Sequence, residues 1–223
     1  MVQVAALAGQ AGLRQVEDAA AFAEAIGATP AQMADIEAYL AMLTDWSGRM
    51  NLVGPSALAQ FWPRHAFDSA QLLAHAPDSL TWADLGTGAG LPGVILAILL
   101  KGRPGARVWL VESLTKRCRF LTEVVTALGL PAEVRNSRAE TVDLKVEVVT
   151  ARAVAALPRL LDFAEPCLRR GARALFLKGQ AAETELAEAA AAGWRLDARL
   201  IPSLSDPDGR IVDIRSAHRA RRR

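Results

Sequence analysis

The stretch that decides the fold is ADLGTGAGLPG, residues 83–93. It follows an apolar run that begins at residue 80 and opens an apolar segment at residues 94–100, which predicts a strand, a glycine-rich turn and a helix. Glycines let the backbone approach a ligand where a side chain would collide. The helix presents unpaired N–H groups and the positive end of its dipole. With the carboxylate of Asp84, this turn suits a small cofactor that has a nucleoside and a charged tail.

Two cofactor classes compete for this turn. The pattern G-x-G-x-x-G at residues 88–93 formally satisfies the dinucleotide fingerprint of NAD(P)-dependent oxidoreductases, in which the first glycine normally sits at the strand end. Here the strand ends two residues earlier, and the frame D-x-G-x-G-x-G at residues 84–90 resembles the first motif of class I S-adenosylmethionine-dependent methyltransferases. In that motif the acid lies near the methionine ammonium. Glu112, at the end of the next apolar run, would hold the ribose hydroxyls in either class.

The amino-acid composition limits the classes of protein to which this chain can belong. With 52% hydrophobic and 22% charged residues, a chain of 223 residues is expected to form one globular domain with an extension. No apolar run is long enough to span a bilayer, and no basic residue precedes Arg14 as a secretory signal would require. We therefore expect a cytoplasmic protein without membrane association. Two cysteines and three scattered histidines predict neither a disulfide nor a metal site.

The chain divides into three regions. Residues 1–78 have helical periodicity and no strand signal, which predicts a helical N-terminal cap. From residue 79 to residue 215, short apolar runs alternate with helical segments and end in two strands joined by a turn-rich loop. This pattern predicts an α/β fold, a Rossmann-like doubly wound parallel sheet with an antiparallel edge. Residues 216–223 form a basic C-terminal tail, compatible with phosphate binding or with a solvated terminus.

Basic side chains suggest a nucleic-acid partner at two further places. Lys116 and Arg117 lie in the first turn of a predicted helix, where cations oppose the dipole, so they contact phosphates or form a solvated face. Arg152 follows the fourth predicted strand, at the sheet edge where ligands of open α/β sheets bind. The signature that grips an exocyclic amine is absent there, as is a cysteine for covalent attack on a pyrimidine. An arginine is compatible with a purine ring nitrogen, whose free lone pair needs only positioning.

Taken together, these motifs resemble the RsmG (GidB) family of bacterial small-subunit rRNA methyltransferases. The match covers about residues 30–215 and rests on seven motifs that occur in the same order as in the family. These motifs are Asn51-Leu52, Arg64-His65-x-x-Asp68-Ser69, the glycine turn with Leu91-Pro92-Gly93, Glu112-Ser113 with Lys116-Arg117, Arg138-Ala139-Glu140, Arg152-Ala153-Val154-Ala155 and Leu177-Lys178-Gly179. The resemblance implies methyl transfer from S-adenosylmethionine to N7 of a guanine in the decoding region of 16S rRNA. The substrate is the free rRNA or the assembling subunit, and we expect a monomer.

The resemblance also implies roles for individual residues. Positions expected at the cofactor or the reacting atom are Asp84, Gly86, Gly88, Gly90, Leu91, Glu112, Ala139, Glu140 and Arg152, the last also as the catalytic residue. Positions expected on the substrate side are His65, Asp68, Lys116, Arg117, Lys178, Arg210 and Arg215. For Leu91 the alternative is packing between strand and helix, and for His65 and Asp68 it is a buried pair that holds the cap.

The chain departs from the family pattern at two positions, and a third class of protein, one without catalytic activity, also has to be considered. The last strand has Asp213 where the family usually has an apolar residue, and Arg215 where lysine is more usual. A non-catalytic RNA-binding module would explain the basic tail. However, such a module would have no use for Asp84 and Glu112 at two strand ends.

Overall fold

Among the residues that the structure describes, five helical segments precede the first strand. The structure, a computed structural model, describes residues 12–50 and 52–219. The N-terminal segments are α1 (Ala19–Ile26), α2 (Pro30–Met50), α3 (Pro55–Ala59), a π-helical segment (Phe61–Phe67) and α4 (Asp68–His75). The region predicted to be helical is not a regular α-helix throughout, because a π-helical segment lies between α3 and α4. Pro63 lies in the π-helical segment, and because proline has no N–H it interrupts the regular hydrogen-bond ladder.

A single seven-stranded sheet forms the rest of the protein. Its strands are β1 (Thr81–Leu85), β2 (Arg107–Glu112), β3 (Ala132–Asn136), β4 (Val148–Arg152), β5 (Arg173–Lys178), β6 (Trp194–Pro202) and β7 (Arg210–Arg219). The spatial order is β3-β2-β1-β4-β5-β7-β6, with β1 to β5 parallel and β7 antiparallel to both of its neighbours. The connecting helices are α5 (Gly93–Leu100), α6 (Thr115–Ala127), α7 (Leu157–Arg169) and α8 (Ala182–Ala191). The predicted doubly wound sheet with an antiparallel edge is confirmed.

The cap and the sheet share one hydrophobic core. All eight residues of α5 are buried, and residues 94–100 belong to the same cluster as Phe22 of α1 and Leu43 of α2. A second cluster on the opposite face of the sheet joins the strands to α7 and α8. The cap therefore forms one face of the fold rather than a separate unit. Within the described ranges, no helix is long and apolar enough to cross a membrane.

Strand β7, which lies between β5 and the edge strand β6, extends past the boundary predicted from sequence. Its pairing with β6 continues to Arg219, four residues beyond residue 215, while residues 220–223 of the predicted tail lie outside the described residues. Asp213, the departure noted above, is fully buried in this strand and is paired with Arg173 at 2.6 Å and with Arg199 at 2.5 Å. Burial would raise the pKa of Asp213, but hydrogen bonds from both arginines lower it below its ordinary value. The two guanidinium groups explain how a carboxylate is accommodated there.

Candidate active site

The glycine turn between β1 and α5 has the conformation that its sequence requires. Gly86, Gly88 and Gly90 all adopt positive φ angles, of 67°, 61° and 102°. A Cβ on Gly86 would lie 2.8 Å from Val154, and one on Gly90 would lie 2.5 Å from Val94. At Gly88 the nearest described atom to such a Cβ is the backbone oxygen of Gly86, at 3.8 Å. Gly86 and Gly90 are therefore packed against protein, whereas Gly88 borders open space.

Asp84 braces this turn from inside. It is fully buried, and its Oδ2 accepts hydrogen bonds from Thr87 Oγ1 at 2.5 Å and from the N–H of Gly93 at 2.8 Å. Burial raises the pKa of Asp84 to about 7, although both hydrogen bonds act to lower it. Gly93 must be a glycine, because a Cβ there would lie 2.8 Å from Asp84 Oδ2 and 2.3 Å from Leu110. Within the described part of the chain, Oδ1 of Asp84 is buried without a hydrogen-bond partner.

Glu112 lies at the end of β2 and contacts the same turn. Its Oε2 accepts a hydrogen bond from the N–H of Gly88 at 3.1 Å, and its Oε1 accepts one from the N–H of Leu114 at 2.8 Å. The carboxylate also pairs with Arg117, whose Nη1 lies 3.5 Å from Oε2. Arg117, expected on the substrate side, is thus directed toward the ribose-binding candidate instead.

The turn after β3 provides weaker candidates. Ala139 begins a 3-10 turn and packs partly buried against the second hydrophobic cluster. Glu140 is 41% exposed in its side chain and lies 3.7 Å from Arg138, so the two form a surface ion pair. Asn136, at the end of β3, donates to the carbonyl oxygens of Glu112 and Ser113 and so ties the two turns together.

Arg152, His65 and Asp68 meet beyond the carboxyl end of β4. Nη1 of Arg152 lies 2.8 Å from Nδ1 of His65 and 3.9 Å from Oδ2 of Asp68, and it donates to the carbonyl oxygen of Arg64 at 3.0 Å. The next residue, Ala153, has a φ of 54°, a left-handed conformation that costs about 1–2 kcal/mol for a residue with a Cβ. The strain lies where the chain turns away from β4 beside the glycine turn.

Hydrogen bonding and burial determine the tautomer of His65 and shift the pKa values of His65 and Asp68. A guanidinium has only donors, so Nδ1 of His65 accepts from Arg152, and the neutral ring carries its proton on Nε2. Burial lowers the pKa of His65 to about 4, and the charge of Arg152 lowers it further. Burial raises the pKa of Asp68, while Arg152 and the hydroxyl of Ser205 oppose this shift. His65 is therefore a neutral imidazole at physiological pH.

A buried polar network extends from Asp68 into the loop between β6 and β7. Oδ1 of Asp68 accepts from Ser205 Oγ at 2.9 Å and from Gln71 Nε2 at 2.9 Å. Gln71 is fully buried; its amide also donates to Ser203 Oγ and accepts from the N–H of Leu204. Sequence reasoning missed this network. A weak signal was Gln71, a polar residue that follows Asp68 by three positions in a predicted helix and so lies on the same face.

These elements enclose a cavity of about 520 Å³ at the carboxyl edge of the sheet. The π-helical segment, the β4 turn, the end of β5 and the β6–β7 loop form its walls. Lys178, expected on the RNA side, lines the cavity but pairs with Glu185 at 2.6 Å and donates to the carbonyl oxygen of Ala155 at 2.9 Å. Its side chain is only 11% exposed, so it holds α8 to the end of β5.

The predicted positions of the glycine turn and of the turns after β2 and β3 do not line this cavity, and neither do Leu91, Lys116, Arg210 and Arg215. Leu91 is 5% exposed and belongs to the hydrophobic core, as the packing alternative required. Lys116 is exposed on α6. Arg210 donates to the carbonyl oxygens of Pro207 and Gly209 and stabilises its own loop. Arg215 is exposed near the amino end of β5, at the opposite edge of the sheet.

The residues of the turn fit S-adenosylmethionine. The open space beside Gly88 leaves room for a ligand close to the backbone, and the nearly buried carboxylate of Glu112 is of the chemical type that can accept hydrogen bonds from ribose hydroxyls. The unpartnered Oδ1 of Asp84 can accept from a donor on the ligand's charged tail. Among the described residues there is no cluster of histidine, cysteine or acidic side chains that could hold a metal ion.

Comparison with known proteins gives the family. A family model for GidB, described as rRNA small subunit methyltransferase G, matches residues 32–203. A protein named Ribosomal RNA small subunit methyltransferase G from Caulobacter vibrioides is 56% identical over 206 residues, which cover 92% of this chain and 95% of that protein. One of the same name from Bradyrhizobium sp. strain BTAi1 is 46% identical over 183 residues, covering 80% of this chain and 82% of that protein.

Solved structures give the same fold at much lower identity. A SAM-dependent methyltransferase from Aquifex aeolicus aligns with a TM-score of 0.54 at 18% identity, covering 80% of this chain and 97% of that chain. The O-methyltransferase TomG from Streptomyces achromogenes aligns with a TM-score of 0.54 at 14% identity, covering 80% and 89%. The fold is that of class I S-adenosylmethionine-dependent methyltransferases, and the chain belongs to the GidB family, rRNA small subunit methyltransferase G.

Proposed function

We propose that this protein transfers a methyl group from S-adenosylmethionine to N7 of one guanine in the decoding region of 16S rRNA. The observation that carries the choice of atom is that the candidate bases beside Arg152 among the described residues, His65 and Asp68, are already engaged, whereas Asp206 has only a half-exposed partner. Nδ1 of His65 accepts from Arg152, Asp68 accepts from Gln71 and Ser205, Glu185 pairs with Lys178, and Asp206 pairs with Arg64.

Because these groups are already hydrogen-bonded or paired, the acceptor atom is expected to be one that does not need a general base. A ribose hydroxyl, an exocyclic amine or guanine N1 must lose a proton to be methylated, and a general base would have to take it. The lone pair of N7 is already free at neutral pH. Such an acceptor needs to be held in line with the methyl donor, and positioning of this kind lowers the barrier without any proton transfer.

The chain's own residues bind and orient the reactants. S-adenosylmethionine supplies a methyl group on a positively charged sulfur. Glu112 would bind the ribose, the turn around Gly88 would admit the ligand against the backbone, and Asp84 would hold the turn in shape. Arg152 would donate hydrogen bonds to the edge of the base, while His65 and Asp68 fix its guanidinium.

The cavity also indicates the form of the substrate. Its volume of about 520 Å³ can hold a nucleotide but not a base-paired duplex. Enzymes that modify a base in folded RNA act on an unpaired or extruded nucleotide. We expect the substrate to be 16S rRNA in a small-subunit particle, and the protein to act in the bacterial cytoplasm as a monomer.

The test is methyl incorporation into small-subunit particles from cells that lack this gene. Purified protein and isotopically labelled S-adenosylmethionine are added, and the label is located by nuclease digestion and mass spectrometry. Label in 7-methylguanosine at one site of 16S rRNA is the expected result. Label in another nucleoside, or none while the protein binds S-adenosylmethionine, would contradict the proposal. Binding of NAD in place of S-adenosylmethionine would favour the oxidoreductase alternative.

A further inference from the structure

The β6–β7 loop, which forms one wall of the cavity, carries a carboxylate that has no role in the proposed mechanism. Asp206 lies in the β6–β7 loop, lines the cavity and pairs with Arg64, whose Nη2 lies 2.7 Å from Oδ2. The aspartate side chain is 20% exposed and the arginine side chain 48%. The pair thus lies at the mouth of the cavity.

The loop holds Asp206 in a fixed position. Its Oδ1 accepts from the N–H of Asp208 at 3.0 Å, and its carbonyl oxygen accepts from the N–H of Gly209 at 3.0 Å. A Cβ on Gly209 would lie 2.8 Å from Ser203 and 3.0 Å from Asp206, so the loop closes tightly on itself. Gln71 anchors its other end through Ser203. The carboxylate is therefore preorganised, as recognition of a small planar ligand requires.

Of the carboxylates described in the lining of the cavity, Asp206 is also the one that a ligand can contact most easily. Glu185 accepts from both Lys178 and the N–H of Leu157 at 2.6 Å, and these side chains are nearly buried. Oδ1 of Asp68 accepts from Ser205 and Gln71 within the buried network. The partner of Asp206 is half exposed, and ion pairs of this kind contribute little and open readily. A carboxylate also retains free lone pairs beside one arginine.

We infer that Asp206 is a specificity-determining residue that accepts hydrogen bonds from N1–H and the 2-amino group of the target guanine. This inference rests on the proposed function. Guanine has acceptors, O6 and N7, on one edge and donors, N1–H and N2–H, on the next. With N7 turned toward the glycine turn and O6 toward Arg152, N1–H and N2–H come next around the ring. Asp206 is placed to meet them, because the adjacent Ser205 is hydrogen-bonded to Asp68, which lies 3.9 Å from Arg152. Enzymes that extrude a base commonly read this edge.

The same contact discriminates between purines and assists the reaction. Adenine presents an acceptor at N1, which a carboxylate would repel, so the site favours guanine. Methylation at N7 leaves the base with a positive charge shared by its ring. A carboxylate hydrogen-bonded to N1–H and N2–H stabilises that charge more in the transition state than in the bound substrate.

The test compares guanine with inosine, which lacks the 2-amino group, at the methylated position of reconstituted small-subunit particles. Asp206→Asn places a donor where guanine needs an acceptor. Asp208→Asn is the matched control, because its exposed side chain lies two residues away on the same loop and does not line the cavity. Single-turnover rates are measured at saturating S-adenosylmethionine and limiting particles, and cofactor binding and thermal melting establish that each variant is folded. Asp206→Ala replaces the amide variant if that variant does not fold.

The wild-type protein is expected to methylate guanine particles about 10-fold faster than inosine particles, since one base hydrogen bond is missing. Asp206→Asn should slow the guanine reaction about 10- to 100-fold, bring the guanine-to-inosine ratio close to one, and leave cofactor binding unchanged. Asp208→Asn should behave like the wild type. Equal wild-type rates on the two bases, or an equal loss on both in Asp206→Asn, would overturn the inference. Failure of the wild type on guanine particles would instead refute the proposed function.

Discussion

Nη1 of Arg152 donates to Nδ1 of His65 at 2.8 Å, and this contact links the carboxyl end of a central strand directly to the helical cap. Arg152 ends β4, whereas His65 lies in the π-helical segment before the first strand. The direction of the hydrogen bond follows from the donor-only guanidinium, and it fixes both the tautomer of His65 and the position of Arg152. The cap thus does more than cover α5; it completes the cavity in which we place the acceptor base.

The first prediction concerns the pH dependence of stability. The folded pKa of His65 is about 4, below its ordinary value of 6.5, so the unfolded chain binds a proton that the folded protein does not. The stability that neutral His65 contributes is present above pH 6.5 and is lost as the pH falls toward 4. His65→Asn, which retains an acceptor for Arg152, should show a shallower loss, by up to one proton.

The measurement is the free energy of unfolding in urea from pH 4 to 8 for both proteins. Asp68 faces the same junction with a raised pKa, which gives the opposite slope, so the difference between the proteins is the informative quantity. Parallel curves for the two proteins would show that His65 does not titrate as described.

A second prediction separates two glycines of the turn. Gly88→Ala should cost about 1–2 kcal/mol of stability because of its positive φ, yet abolish cofactor binding because the new methyl group enters the open space. Gly93→Ala should be more destabilising, since its Cβ would lie 2.3 Å from Leu110. Melting temperatures and binding of S-adenosylmethionine by calorimetry measure both effects. Normal cofactor affinity in a folded Gly88→Ala protein would refute the placement of the ligand beside Gly88.

A third prediction assigns the ribose contact to Glu112 rather than to its partner. Glu112→Gln should weaken binding of S-adenosylmethionine about 10-fold or more, because hydrogen bonds to a charged group are lost. Arg117→Ala should change the affinity by less than about 5-fold, because the Arg117 side chain is 37% exposed and such pairs are weak. Calorimetric titration of both variants distinguishes these roles. A larger effect from Arg117→Ala would place the arginine itself on the cofactor.

A fourth prediction concerns the link between the cap and the glycine turn. Tyr39 is fully buried on α2, and its hydroxyl donates to the carbonyl oxygen of Ala89 at 2.8 Å. Tyr39→Phe leaves that carbonyl without this donor and should lower stability by about 1–3 kcal/mol. Affinity for S-adenosylmethionine should fall as well, whereas Phe22→Leu, elsewhere in the cap core, should lower stability alone. Unaltered cofactor affinity in Tyr39→Phe would show that the turn does not depend on the cap.

The sheet and the glycine turn could be predicted from sequence because their signals are local. The apolar runs of β1, β2, β4 and β5 are bounded by turns, and the glycines occupy positions where positive φ is required. Asp84 and Glu112 could be singled out because each follows such a run. In the structure both contact the turn, at Gly93 and at Gly88.

The wall of the cavity formed by the β6–β7 loop could not be predicted from sequence, because its position depends on contacts between residues that are far apart along the chain. The β6–β7 loop has the composition of an ordinary turn, and its role follows only from its hydrogen bonds to Gln71, 132 residues away along the chain. The end of β7 was missed for a similar reason. Its last residues have no apolar alternation, yet Arg219 pairs with Trp194 of β6. The π-helical segment likewise places His65 against Arg152, a partner 87 residues distant.

The most direct test of the account separates turnover from cofactor binding in an Arg152 variant. Single-turnover methylation of small-subunit particles is measured for the wild type, Arg152→Lys and Arg152→Ala, alongside the Kd for S-adenosylmethionine and the melting temperature. If the cavity beyond β4 is where the acceptor base is held, Arg152→Ala should lower the rate about 100-fold or more while the Kd changes less than about 3-fold. Arg152→Lys should lie between them, because lysine keeps the charge but not the fork of donors. An unchanged rate in folded Arg152→Ala would remove this residue, and the cavity around it, from the reaction.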